Sequence, residues 1–259
     1  YDGLPLSGGG DIAPHLFDAE DRGSQDIDYD RDIAELELLL RDRIVKRHIQ
    51  NGVRVLDPTA VYIDPRVTIG RGTMLLPGTI LRGNTVIGEH CEIGPNTMLT
   101  DCTVGDGAVI NSSQCNQSTI DAGAHVGPFA YIRPNCHVGK DVKVGDFVEL
   151  KNSTIGDGTK ISHLTYVGDS DVGSKVNFGC GTVVVNYDGK KKYRTTIGDH
   201  CFVGCNTNLV SPVRLGDWAY TAAGSTITQD VPAGQLAIAR ARQVNKDHWK
   251  DRRDLPSDR

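Results

Sequence analysis

An aliphatic side chain returns every six residues through most of this chain, and few folds tolerate that period. The series runs Ile63, Ile69, Leu75, Leu81, Ile87, Ile93 and Leu99, then Val126, Ile132, Val138, Val144 and Leu150. It continues at Ile155, Ile161, Val167, Val172, Phe178 and Val184, and returns at Ile197, Val203, Leu209, Leu215, Thr221 and Ile227. The steps into Val104, Ile155 and Val172 are five residues, and Asn111 to Thr119 is loosely patterned. A helix repeats about every 3.6 residues and a half-buried strand about every two, so neither produces this step. A parallel β-helix with three short strands per coil does, at about 18 residues per turn. Each aliphatic then points inward and stacks on its neighbours one coil above and below, about 4.8 Å away. About ten coils would share one continuous core.

The composition fits such a rod. Glycine supplies 30 of the 259 residues, well above the usual ~7%. At Gly70, Gly88 and Gly94 it directly follows the repeat aliphatic, where the chain must turn. No apolar stretch approaches the roughly 20 residues of a membrane span, and no signal peptide is visible in a sequence that begins at Tyr1. The formal charge of −5 argues against broad nucleic-acid binding. One basic run stands out, Lys190-Lys191-Lys192 with Arg194 beside it. The seven cysteines form no CxxC pair. Cys91, Cys136 and Cys201 each fall four residues after a repeat aliphatic, which reads as a reduced core filler in a cytoplasmic protein.

The flanks leave the period. Residues 1–27 are rich in Gly, Asp and Pro and read as a linker, a remnant of a preceding domain, or an added segment. Residues 28–52 hold a helix from Asp30 to Gln50, with Ile33, Leu36, Leu40, Ile44, Val45 and Ile49 as its apolar positions. Acidic residues crowd its start, basic ones its end, and Asn51-Gly52 stops it. The rod is expected over 53–232, and 233–259 form a basic, partly apolar tail that packs back on it.

The informative residues are those the rod does not need. Arg133 and Lys151 are 18 apart and stack in adjacent coils, where two like charges repel unless an anion lies between them. His163, two past Ile161, and Cys180, two past Phe178, stack on another face. Cys205 and Ala223, two past Val203 and Thr221, are placed with Asn186 on the face of Arg133. Side chains on two faces of one triangular rod converge poorly, but they meet in the groove between neighbouring rods, so a homotrimer is the natural assembly. Between Val184 and Ile197 the spacing grows to 13 residues, and Asp188-Gly189 marks a tight turn in a projecting loop from Asn186 to Arg194. Asn, Tyr and Lys on that loop suit a phosphorylated, hydroxyl-rich ligand. His90, His125 and His137 are the candidate ligands for a zinc centre. Position 130, where a close partner of His125 would stand, is Ala130, and no ligand spacing emerges, so no metal is expected.

The strings SHLTYVGD, VNFGCGT and NYDG, within a stretch from about Asp30 to Trp249, resemble the acetyltransferase domain of the bifunctional GlmU family. That family couples an N-acetylglucosamine-1-phosphate uridyltransferase to a glucosamine-1-phosphate N-acetyltransferase. The resemblance implies a left-handed β-helix and transfer of the acetyl group of acetyl-CoA to glucosamine 1-phosphate. The product would feed UDP-N-acetylglucosamine and cell-wall precursor synthesis. It implies that His163 is the general base and that Arg133 and Lys151 hold phosphate, with Lys192 a further cation on the ligand side. Tyr166, Asn177, Asn186 and Tyr187 would position the sugar and the acetyl donor. Cys180, Cys205 and Ala223 would line the coenzyme channel, with Arg240 and Lys246 contacting the coenzyme from the tail. Glu149 is placed to orient His163 or the amine, and backbone amides near Gly179 to Gly181 to hold an oxyanion. Two departures stand out. Cys occupies positions 180 and 205, where the family often has Ala and Ser, and residues 1–27 are too short for a uridyltransferase. Two readings of another kind stay open: a hexapeptide acyltransferase for a different amine, and a non-enzymatic scaffold.

Overall fold

A computed structural model describes residues 29–247. They form a left-handed parallel β-helix of about ten turns behind one N-terminal helix. Three parallel sheets make the walls, with eleven, ten and nine strands. The first face carries the strands Lys143–Asp146, Lys160–His163, Asn177–Phe178, Phe202–Val203 and Tyr220–Thr221. The second carries Tyr131–Ile132, Glu149–Lys151, Tyr166–Gly168 and Val183–Val185. The third runs from Thr68–Ile69 to Arg214–Leu215.

The six-residue step is the reason. In most strands one residue faces out and the next in, and the inward residue is the repeat aliphatic. Leu75, Ile93, Leu99, Ile132, Leu150, Ile161 and Val167 are all fully buried. The loosely patterned stretch keeps the register by another route. Cys115, fully buried, takes the aliphatic slot between Leu99 and Ile132. Coils there are shorter, Thr103 pairing with Thr119, sixteen residues on.

Polar fillers close the corners. Buried hydroxyls accept the backbone N–H of the following coil, as Thr73 does from Cys91, Ser118 from Cys136 and Thr159 from Val176. Carboxylates do the same job outside: Asp106 accepts from the amide of Glu89, Asp157 from Lys140 and Asp199 from Ser174. Backbone groups that no strand could satisfy are thereby paired.

The helix α1, Tyr29–Gln50, ends in a Schellman motif. Val53 N–H donates to His48 C=O and Gly52 N–H to Ile49 C=O, with Gly52 at φ +90. Its docking is narrower than the apolar positions suggested. Ile44, Val45 and His48 are buried against the rod, whereas Ile33, Leu40 and Ile49 are exposed. Among the described apolar residues of the helix, those buried against the first coils lie in its last turns.

Candidate active site

Strand register places the candidate residues in two groups. On the second face Ile132 pairs with Leu150, so Arg133 and Lys151 occupy neighbouring rungs as their spacing required. The expected repulsion between them is relieved locally. Arg133 Nη1 donates to Glu149 Oε1 at 2.9 Å, and this contact raises the guanidinium pKa above its ordinary value. Glu149 therefore serves Arg133; His163 finds its partner in Asp146.

Lys151 rests on a carboxylate absent from the sequence reading. Its Nζ lies 3.1 Å from Asp169 Oδ2, with both side chains largely buried. Asp169 also accepts from Asn152 Nδ2 at 2.6 Å and Asn186 Nδ2 at 2.5 Å. Asn152, Asp169 and Asn186 are each two residues past an inward aliphatic, Leu150, Val167 and Val184, so they stack at one corner of three successive coils. Burial alone would raise the Asp169 pKa, but its three donors pull it below the usual carboxylate value. Burial tends to lower the Lys151 pKa, and its contact with Asp169 raises it on balance.

The next rung after Lys151 is Gly168, and its missing side chain matters. A Cβ there would stand 2.3 Å from Tyr166 Oη and 2.7 Å from Asn186 Nδ2. That space lets the phenol reach Asn186, which donates to it at 3.4 Å.

The segment from Asn186 to Arg194 is the small hairpin its turn residues predicted. Tyr187 and Lys192 form an antiparallel bridge, and Asp188 Oδ1 accepts the amides of Lys190 and Lys191 at 2.7 and 2.6 Å. Arg194 anchors its base. Its guanidinium grips the Asp171 carboxylate with both Nε and Nη2 and donates to Asn152 C=O and Ser170 C=O. Folded this way, the hairpin returns Lys192 to the Lys151 ammonium, which pulls the Lys192 pKa below the ordinary lysine value. Three cations, Arg133, Lys151 and Lys192, thus share two carboxylates, Glu149 and Asp169, among the described residues.

The second group lies round the corner on the first face. Asp146 and His163 are direct partners on neighbouring strands, and the imidazole Nδ1 is 2.6 Å from Asp146 Oδ1. Both are partly exposed, at 59% for the His163 side chain. Beneath them a depression of about 310 Å³ is bounded by His125, Lys143, Gly145 and Ser162. Asn177 is one rung above Lys160 on the same strand stack.

Cys205 and Ala223 require a correction. Phe178 pairs with Val203 and Val203 with Thr221, so Cys180, Cys205 and Ala223 form one column continuing upward from His163 on the first face. The face of Arg133 and Asn186 does not hold them. The coil containing the hairpin runs from Asn177 to Phe202, twenty-five residues, and counting by eighteen loses its place there. Cys180 is half-buried and Cys205 exposed. Arg240 lies over Gly224, its Cδ 3.8 Å from where a Cβ would be. Tyr187, Arg240 and Lys246 are exposed. A larger depression of about 400 Å³, over Thr226 to Val231 and Leu236 to Ala239, contains no candidate residue.

Two family models match the chain. The model described as the GMPPB C-terminal domain covers residues 114–235, and that of bacterial transferase hexapeptides, six repeats, covers 66–101. The chain is 56% identical over 223 residues to the bifunctional protein GlmU of Clostridium kluyveri, covering 86% of this chain and 49% of that protein. It is 52% identical over 223 residues to the bifunctional protein GlmU of Clostridium botulinum, with the same coverage. Over 220 residues it is 52% identical to that of a Geobacillus species, covering 85% of this chain and 48% of the relative. It spans about half the length of the curated relatives it matches. Among solved structures, the Arabidopsis UDP-N-acetylglucosamine acyltransferase aligns over 70% of both chains at 16% identity, with a TM-score of 0.46.

Proposed function

For a chain that belongs to the bifunctional GlmU family, over the half of those proteins that it matches, we propose an acetyltransferase acting on glucosamine 1-phosphate with acetyl-CoA as donor. The observation that carries the reading is the charge imbalance on the second face. Three cations around two carboxylates leave one positive charge to be met by a ligand, next to the phenol of Tyr166 and the amide of Asn186. A sugar phosphate supplies both an anion and hydroxyls for such a cradle. In this reading the first face carries the chemistry. His163 removes a proton from the acceptor amine as its nitrogen attacks the thioester carbonyl carbon. The new C–N bond forms, the C–S bond breaks, and the proton passes from the imidazole to the leaving thiolate. The column of Cys180, Cys205 and Ala223 lines the pantetheine path, with Asn177, Tyr187, Arg240 and Lys246 holding donor and sugar. Gly179 N–H already donates to Val203 C=O and Gly181 N–H to Leu164 C=O, so of the amides expected to hold the oxyanion it is that of Cys180 which receives it in this reading.

The two faces belong to different copies of the chain in this proposal, in a homotrimer. The setting is cytoplasmic, and the product enters UDP-N-acetylglucosamine and cell-wall precursor synthesis. The test is thiol release from acetyl-CoA with glucosamine 1-phosphate, beside a panel of other amino sugars and amines, with UTP turnover followed in parallel. Release with glucosamine 1-phosphate and none with UTP supports the assignment. Preference for another amine moves the chain to a different acyl acceptor, and failure to bind coenzyme A in calorimetry returns it to a scaffold.

A further inference from the structure

Among the described residues, His137 and His163 each meet an aspartate of the coil below, through different ring nitrogens. His137 on the third face uses Nε2, 2.7 Å from Asp121 Oδ2. His163 on the first face uses Nδ1, 2.6 Å from Asp146 Oδ1, which leaves Nε2 facing away from its partner. We propose that Asp146 is the positioning residue of His163, fixing its Nδ1–H tautomer and ring direction so that Nε2 is the base. This deepens the acetyltransferase reading and rests on it.

The backbone is built for the contact. Most strands of the first face are two residues long, but Lys143–Asp146 and Lys160–His163 are each four, and their pairing continues to Asp146 opposite His163. Leu164 N–H donates to Asp146 C=O at 3.0 Å, and Thr165 Oγ1 donates to His163 C=O at 2.7 Å, which closes the end of the ladder. The extension needs Gly145, because a Cβ there would stand 2.0 Å from Ser162 O. In-register residues of parallel strands point the same way about 4.8 Å apart, a spacing that a carboxylate and an imidazole bridge directly.

The tautomer follows from the donor inventory. The hydrogen bond from His163 holds the Asp146 carboxyl below the usual carboxylate value. An ionised carboxylate only accepts, so Nδ1 must carry the hydrogen and the neutral ring keeps its lone pair on Nε2. During acetyl transfer the amine proton goes to Nε2, and Nδ1–H stays on the ring, its bond to the carboxylate strengthened as the imidazolium forms.

Two readouts decide it. In full-length protein with ¹⁵N-labelled histidine, the His163 ring should show the Nδ1–H tautomer, and Asp146→Ala should convert it to a mixture. In the thiol-release assay Asp146→Ala should lower kcat by about 10–100-fold with the acceptor KM little changed. Asp146→Asn keeps an acceptor oxygen without the charge, so it should retain the tautomer and recover part of the rate. Asp121→Ala should leave both readouts as in the parent. Wild-type kcat in Asp146→Ala, or an unchanged His163 tautomer, overturns the assignment. If the parent protein transfers no acetyl group, the functional reading fails on its own, and the tautomer spectrum still tests the positioning role.

Discussion

At the scale of single residues, Asp169 is the keystone of the second face. It receives Lys151 and Asn152 from the coil below and Asn186 from the coil above, and is itself buried. Asp169→Ala would leave two amides and an ammonium without their acceptor, at a cost of about 1–3 kcal/mol in urea unfolding. It would also raise the KM for a phosphorylated acceptor, because Lys151 loses its support. The acid dependence has a definite sign. A carboxyl whose folded pKa is depressed binds fewer protons in the native state, so its stabilisation is present above the unfolded value near 3.8 and is lost as pH falls through the lower folded value. Denaturation followed between about pH 5 and pH 2 should show a loss that Asp169→Asn largely abolishes. His163→Ala is different in kind. The ring is more than half exposed, so turnover should fall at least about a hundredfold while the melting temperature stays nearly constant. An equal loss in both would make His163 a structural residue. Neither Asp146 nor Asp169 was legible in the sequence. Aspartates recur at the corners throughout, at Asp106, Asp157 and Asp199 among others, where they merely accept backbone amides. Only the register separates the two that touch the proposed site.

Elements were read with mixed success, for physical reasons. The helix was evident from its charge gradient and Asn51-Gly52, but its apolar positions overstated its packing, because periodicity shows which side is apolar and not how much rod lies beneath it. Its buried end carries a consequence. His48 is buried and its Nε2 has no hydrogen-bond partner among the described residues. Burial, reinforced by the Arg47 charge, lowers its pKa from the ordinary 6.5. Its neutral form is therefore favoured in the docked helix, so the docking stability is full above about pH 6.5 and declines as pH falls through the folded value. The protection factors of the amides across Arg43 to Gln50, corrected for intrinsic exchange, should fall between pH 7.5 and 5.5, and His48→Leu should remove that dependence. Protection factors that stay constant across this range would show that His48 does not govern the helix. The hairpin was legible from Asp188-Gly189, whereas its seven-residue enlargement of the coil displaced Cys205 and Ala223 by one face in the counting.

For the whole molecule, the hexapeptide step fixed the architecture because every inward residue serves the same continuous core. Removing one rung should be felt as in an ordinary core: Ile132→Ala, fully buried, is expected to cost about 2–5 kcal/mol in equilibrium unfolding. Such a rod is stiff, and its stiffness is what separates the two halves of the proposed site. His163 and Asp146 are held on one wall, Lys151, Tyr166 and Asn186 on the next, with a corner between them. The proposal that these halves meet between copies can be tested by co-assembling His163→Ala with Lys151→Ala, each with little thiol release alone. If each site joins the first face of one copy to the second face of its neighbour, about one quarter of the sites in a random equal mixture are intact, and about a quarter of parental activity should return. A mixture no more active than either variant alone would contradict the shared site.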